Sequence, residues 1–198
     1  MTQAPSKILV VDLEATCADD GSLPPQAMEI IEIGAVWATS DGAILDRFQT
    51  FVLPLQRPAL TPFCIGLTGI RQADLDGAPL LPVAARALGE FANLRREPGS
   101  VWASWGAYDR KQFERDFARH SIEDPLRLPH ENLSRLFAKR QQIDREIALS
   151  DACKLANVTL EGVYHRALDD AINTAHLLPW IWGIQSRGAN LLAIPSAN

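Results

Sequence analysis

Two carboxylates two residues apart, Asp12 and Glu14, follow the apolar run Ile8-Leu9-Val10-Val11. Such a run is typical of a strand buried on both faces, and because side chains alternate along a strand the two acids point to the same side at its end. Side by side and partly desolvated, they repel one another unless a cation joins them. Oxygen-only donors favour Mg²⁺ or Mn²⁺ over zinc. Taken alone, Asp-x-Glu fits two solvated loop acids equally well, so the weight falls on two other places in the chain.

The first is Asp109. It follows a second short apolar run, Ser100-Val101-Trp102-Ala103-Ser104, and precedes a helical pattern with Phe113 and Phe117 four residues apart. It therefore stands at a strand-to-helix transition, where an isolated Asp would be read as a helix-start residue favoured by capping and the dipole. The second is Tyr164-His165-Arg166-Ala167-Leu168-Asp169-Asp170-Ala171, which opens a helix with the small stripe Ala167, Ala171, Thr174, Ala175 and Leu178. At 100° per residue Asp170 lies at the edge of that stripe and Asp169 nearly opposite, which makes Asp170 the ligand candidate and Asp169 a solvated residue or a partner of the helix dipole. His165 precedes the helix on a loop after Gly162, free to swing over a neighbouring site. A lone His in such a place is more often a surface residue than a catalyst.

In this order and at these distances, VDLEAT, SWGAYD and HRALDDA resemble the three motifs of the DEDDh (DnaQ-like) 3′-to-5′ exonucleases. The resemblance runs from about Lys7 to Leu178 and extends to EIIEIGAV (29–36) and FCIGLTGI (63–70), wording closest to the Eri1-like branch with the KapD-type exonucleases. It implies that Asp12, Glu14, Asp109 and Asp170 bind two divalent ions, Mg²⁺ or Mn²⁺, and that His165 is the general base. Asp12 would bridge, Glu14 and Asp170 would complete the tighter site, and Asp109 would act on the second ion through water. An unperturbed His titrates near neutrality and suits removal of a proton from an attacking water. The implied product is a nucleoside 5′-monophosphate from a free 3′ end of single-stranded RNA or DNA.

The resemblance also places Leu67-Thr68-Gly69-Ile70 near the terminal nucleotide, with Leu67, Thr68 and Ile70 as substrate contacts, and sets Ala15 and Thr16 by the 3′-terminal sugar. Leu67 and Ile70 are equally compatible with filling a core under a loop. Tyr108 ranks above Trp105 as a strand contact beside Asp109.

Strands are expected at Ile8 to Asp12, Glu29 to Thr39, Ile44 to Val52, Ser100 to Ser104 and Arg127 to Glu131, with an Asp41-Gly42 hairpin turn between the second and third. Helices are expected at Pro82 to Leu94, Arg110 to His120, Leu133 to Phe137, Ser150 to Ala156 and Ala167 to Gln185. Three leading strands followed by alternating helices and strands indicate a mixed five-stranded α/β sheet flanked by helices, and the family implies a ribonuclease H-like fold. With 198 residues, 47% of them hydrophobic, and no linker or repeat, one domain is expected, with a core of about 7–185 and loose ends. Neither a signal core nor an eighteen-residue apolar stretch occurs, so a cytoplasmic protein without a membrane partner is expected. Cys17, Cys64 and Cys153 share no CxxC spacing and read as free thiols.

The net charge of −5 argues against extended duplex binding, but four of the acids belong to the metal cluster, and bound ions reverse the local sign. Arg110, Lys111, Arg115, Arg166, Lys139 and Arg140 are candidates for local phosphate contacts, and Trp180 with Trp182 for a homodimer or partner face. Two other function classes are weighed: a noncatalytic binding module on the same fold, which would lack some of the five residues, and a hydrolase of small phosphoesters, for which the LTGI and SWGAYD context would be coincidence.

Overall fold

A computed structural model describes residues 4–182. Three strands, β1 (Lys7–Ala15), β2 (Ile30–Thr39) and β3 (Ile44–Phe51), form an antiparallel meander, and β4 (Val101–Ser104) and β5 (His130–Asn132) extend it in parallel on the other side of β1. The order is β3-β2-β1-β4-β5, so β1 is central and the sheet is mixed and five-stranded, as the element pattern predicts.

Alternation along the strands sorts the core into two layers. Ile8 and Val10 of β1, with Val36 and Ala38 of β2, face α5 (Leu133–Gln141), α6 (Leu149–Ala156), α7 (Ala167–His176) and α8 (Leu178–Trp182). Leu9, Val11, Leu13, Ile33, Ala35 and Trp37 face the opposite way, onto α3 (Leu81–Leu94) and α4 (Tyr108–Arg119). Each large side chain so buried contributes about 1.5–3 kcal/mol. Two short helices, α1 (Pro62–Thr68) and α2 (Gln72–Leu75), cover a third apolar cluster around Ile31, Cys64, Ile70 and Leu75. Among the described residues no helix is long and apolar enough to cross a membrane.

Several elements differ from the sequence expectation for identifiable reasons. β1 runs past Asp12 to Ala15 with an irregularity between Glu14 and Ala15, so Glu14 as well as Asp12 stands within the strand. The last strand begins at His130, not Arg127, whose φ of 47° is left-handed and breaks extension. The single helix expected from Ala167 to Gln185 is two, because Pro179 has no N–H to continue the ladder from α7; residues beyond 182 lie outside the described part. Pro62–Thr68 forms a helix outside the expected elements: the Thr61 hydroxyl accepts a hydrogen bond from Cys64 N–H, Pro62 occupies the first turn, and Gly69 ends the helix at φ 68°. Trp180 and Trp182 are half-buried, packed against the α5–α7 layer.

Candidate active site

The even positions of β1 that carry apolar side chains at Ile8 and Val10 carry carboxylates at Asp12 and Glu14, on the face that α7 covers. Their β2 neighbours in register are Gly34 and Glu32. Gly34 lets α7 approach: a Cβ there would lie 2.1 Å from the Ala167 carbonyl carbon. Glu32, fully buried, receives three hydrogen bonds from the start of α7, one from Ala167 N–H (3.1 Å) and two from the Arg166 guanidinium (3.1 and 2.9 Å), and a fourth from Gln49 Nε2 (2.6 Å). The helix bearing Asp170 is thereby fixed above Asp12 and Glu14.

The His165 loop is fastened to the same helix. Asp170 Oδ2 accepts the His165 N–H (3.0 Å) and Asp169 Oδ2 accepts the Val163 N–H (2.8 Å). Asn173 bonds Glu161 through both backbone groups (2.8 and 2.9 Å). Gly162 leaves room for the Asp169 carboxylate, and His165 takes a left-handed φ of 65°, a costly conformation that these bonds hold in place. Its ring packs on Tyr164, centroids 4.2 Å apart. Asp169 is therefore a loop-holding residue rather than a solvated one.

From the other side of β1, Asp109 enters in the first turn of α4. β4 pairs with β1 only between Ile8 and Val10, so beyond that point the edge of β1 is open, and Asp109 Oδ1 accepts the unpaired Leu13 N–H (3.1 Å). Asp12, Glu14, Asp109, His165 and Asp170 line one open cleft of about 350 Å³. Glu14, His165 and Asp170 each offer a ligand atom within 4.8 Å of the others.

Burial raises all four acids, and for Asp12 and Glu14 neighbouring carboxylates add to it. Asp12 is well above its ordinary value through burial and then Asp109, Glu14 and Asp170. Glu14 is pushed up to about 9 by burial, Asp170 and Glu32. Burial lifts Asp109 to about 7 and Asp170 to about 6, each partly offset by backbone N–H bonds, from Leu13 to Asp109 and from His165 to Asp170. Burial also lowers His165 and so favours its neutral form. A cluster that cannot ionise cheaply by itself, and in which the buried Asp170 Oδ1 has no hydrogen-bond partner, suits an oxygen-seeking divalent cation, whose binding would expel the protons. The donor set fits such an ion.

The remaining expectations divide. Ala15, Leu67 and Tyr108 line the cleft, as does Trp105, whose indole N–H bonds Ile147 O (2.9 Å). Thr16, Thr68 and Ile70 are not among its lining residues. Thr16 Oγ1 accepts Glu29 N–H (2.9 Å), Thr68 Oγ1 donates to Cys64 O (2.9 Å), and Ile70 is fully buried in the third cluster. Arg166 is bound to Glu32 and lies over the Phe51 ring, and Arg110 pairs with Glu114, which removes Arg166 as a ready phosphate contact. Glu32 and Gly34 were missed. The signal for both was in EIIEIGAV: an acid inside an apolar strand needs partners, and a glycine inside a strand marks a close backbone approach.

The exonuclease family model RNase_T matches residues 9–178 of the chain. The chain belongs to this exonuclease family. It is 31% identical over 176 residues to a probable 3′-5′ exonuclease KapD of Bacillus subtilis, covering 87% of this chain and 82% of that relative. It is likewise 31% identical over 202 residues to ERI1 exoribonuclease 2 of Homo sapiens, over 87% of this chain but only 28% of that protein's length. Among solved structures, the nuclease domain of 3′hExo, a DEDDh family member bound to rAMP, superposes with a TM-score of 0.79 at 25% identity, over 87% of this chain and 90% of that one. The mixed sheet is thus the ribonuclease H-like exonuclease fold, and the DEDDh and Eri1-like/KapD resemblance holds.

Proposed function

We propose that the chain is a metal-dependent 3′-to-5′ exonuclease that releases nucleoside 5′-monophosphates from single-stranded RNA or DNA 3′ ends. One observation carries this reading: Asp12, Glu14, Asp109, Asp170 and His165, from three distant segments, meet in one open cleft. Asp12, Glu14, Asp109 and Asp170 would hold two divalent ions, Mg²⁺ or Mn²⁺, which when bound supply charge stabilisation for the attacking and leaving oxygens of the phosphodiester.

The chain's own residues do the rest. His165, neutral and set on a loop tied to α7, accepts the proton of the attacking water, and Tyr164 packs against its ring at a tilt. Leu67, Tyr108 and Trp105 form an apolar wall on which a terminal base and sugar can lie without regard to sequence. That the similar 3′hExo domain binds rAMP supports a mononucleotide-sized end group in this cleft. The test is cleavage of a short oligonucleotide, with and without a 3′-phosphate block, beside a mononucleotide diester. Stepwise shortening of the free-ended oligonucleotide alone, stopped by chelation and restored by Mg²⁺ or Mn²⁺, is the expected outcome. Hydrolysis of the small diester with the oligonucleotide intact would replace this reading with a phosphoesterase.

A further inference from the structure

Cys17 follows the end of β1 at Ala15, and Cys64 on α1 reaches that same strand end. Cys17 is half-buried and lines the cleft, and Cys64 is fully buried on α1. The two segments are already strapped together: Thr61 Oγ1 donates to Cys17 O (2.6 Å), and Cys64 Sγ reaches Ala15 O (3.7 Å). Cys17 packs against the cluster that contains Cys64.

We propose that Cys17 and Cys64 are a peroxide-sensitive dithiol whose oxidation to an intramolecular disulfide impairs the cleft. Interaction between the two thiols favours ionisation of one member, drawing Cys64 down to about 7 and pushing Cys17 up. Cys153, deep in the α5–α8 layer and raised to about 11 by burial, is not among the residues that line the cleft and so has no path to peroxide through it.

Hydrogen peroxide reaches Cys17 through the cleft. As the Cys17 proton passes to the Cys64 thiolate, the Cys17 sulfur attacks one peroxide oxygen; the S–O bond forms, the O–O bond breaks and hydroxide leaves. Cys64 then attacks the sulfenyl sulfur of Cys17, the S–S bond forms, and the departing hydroxide and the hydroxide released earlier take up two protons to give two waters in all. The two sulfurs together lose two electrons, and the two peroxide oxygens gain them.

Bond formation fixes the sulfurs about 2 Å apart and so constrains α1, with Leu67, against the Ala15–Cys17 segment. Those are two walls of the cleft beside Glu14. A shift of about 1 Å at a catalytic site costs up to about a hundredfold in rate.

The test is titration of the reduced protein with hydrogen peroxide, followed by mass analysis of the intact chain and its peptides and by the oligonucleotide cleavage rate. Expected are a loss of two hydrogens, a cross-link between the Cys17 and Cys64 peptides, and a fall in rate of at least about tenfold that a dithiol reductant reverses. Cys64→Ser should show no cross-link and resist inactivation, and Cys153→Ser should respond like the parent. Absence of the cross-link, or a cross-link with an unchanged rate, overturns the proposal. The cross-link is read by mass, so it stands or falls apart from the nuclease reading.

Discussion

Replacing Gly34 by alanine should injure the site from beneath. Gly34 sits opposite Asp12 in the β1–β2 register, and its added Cβ would meet the Ala167 carbonyl carbon at 2.1 Å, Leu168 N at 2.2 Å and Ala167 O at 2.4 Å. All three atoms are backbone, so no rotamer change relieves the overlap. Ordinary contact begins at 3.4 Å, so the first turn of α7 must withdraw by roughly 1.3 Å. Overpacking of this kind costs about 1–3 kcal/mol, or roughly 2–12 °C in melting temperature for a chain of this size. That turn carries Asp170, which in turn holds the His165 backbone, so a displacement of this size should lower the cleavage rate about a hundredfold or more. Thermal melting and single-turnover cleavage of a labelled oligonucleotide measure the two effects. Gly66→Ala is the stability control: Gly66 lies on the exposed side of α1 with nothing within 4 Å of its Cβ position, and alanine there should gain up to about 1 kcal/mol. A Gly34→Ala protein that melts and cleaves like the parent would refute the close approach of α7 to β2 as the device that sets the site.

Three further outcomes are expected. Glu32→Gln breaks the ion pair with Arg166, whose side chain is 26% exposed while that of Glu32 is fully buried; it should cost about 2–3 kcal/mol in urea unfolding, and an unchanged midpoint would contradict the role given to Glu32. His165→Ala should slow cleavage about 10²–10⁴-fold while calorimetric Mn²⁺ affinity stays near that of the parent, whereas loss of affinity would put His165 among the ligands. The metal-free protein should lose stability as pH rises. Glu14, Asp109 and Asp170 have folded values raised to about 9, 7 and 6, so the folded state holds more protons than the unfolded one. Their stabilising contribution is complete below the ordinary carboxylate range and is lost as pH climbs through the folded values. Melting in chelator should therefore fall between about pH 5 and about pH 9, and saturating Mg²⁺ should flatten that slope; a rising melting temperature over this window would contradict the electrostatics.

The site acids were legible because they break local rules: Asp12 and Glu14 follow a strand pattern at its own period, and Asp109 and Asp170 stand at helix starts beside apolar faces. Glu32 and Gly34 obey the same logic on β2, but their partners at Arg166 and Ala167 are 134 and 135 residues away from Glu32, a pairing that no local pattern contains. β1 continues past its expected end at Asp12 through Glu14 because the cleft, not solvent, receives the two carboxylates. Thr68 and Ile70 read as cleft residues by their place in FCIGLTGI, yet α1 turns Thr68 about 100° away from Leu67, and Ile70, past the cap at Gly69, is buried in the third cluster. The paired helices at the described C-terminal end followed from Pro179, whose missing donor outweighs the continuing apolar stripe.

The most direct test of the central claim is a time course on matched 5′-labelled single-stranded RNA and DNA with Mn²⁺, run for the parent chain and for Asp12→Asn. The parent should give a ladder that shortens from the 3′ end with nucleoside 5′-monophosphates as product, and Asp12→Asn, folded by its melting curve, should leave both substrates intact. Asp12→Asn cleaving at the parent's rate, or internal fragments in place of a ladder, would contradict the proposed site and its chemistry.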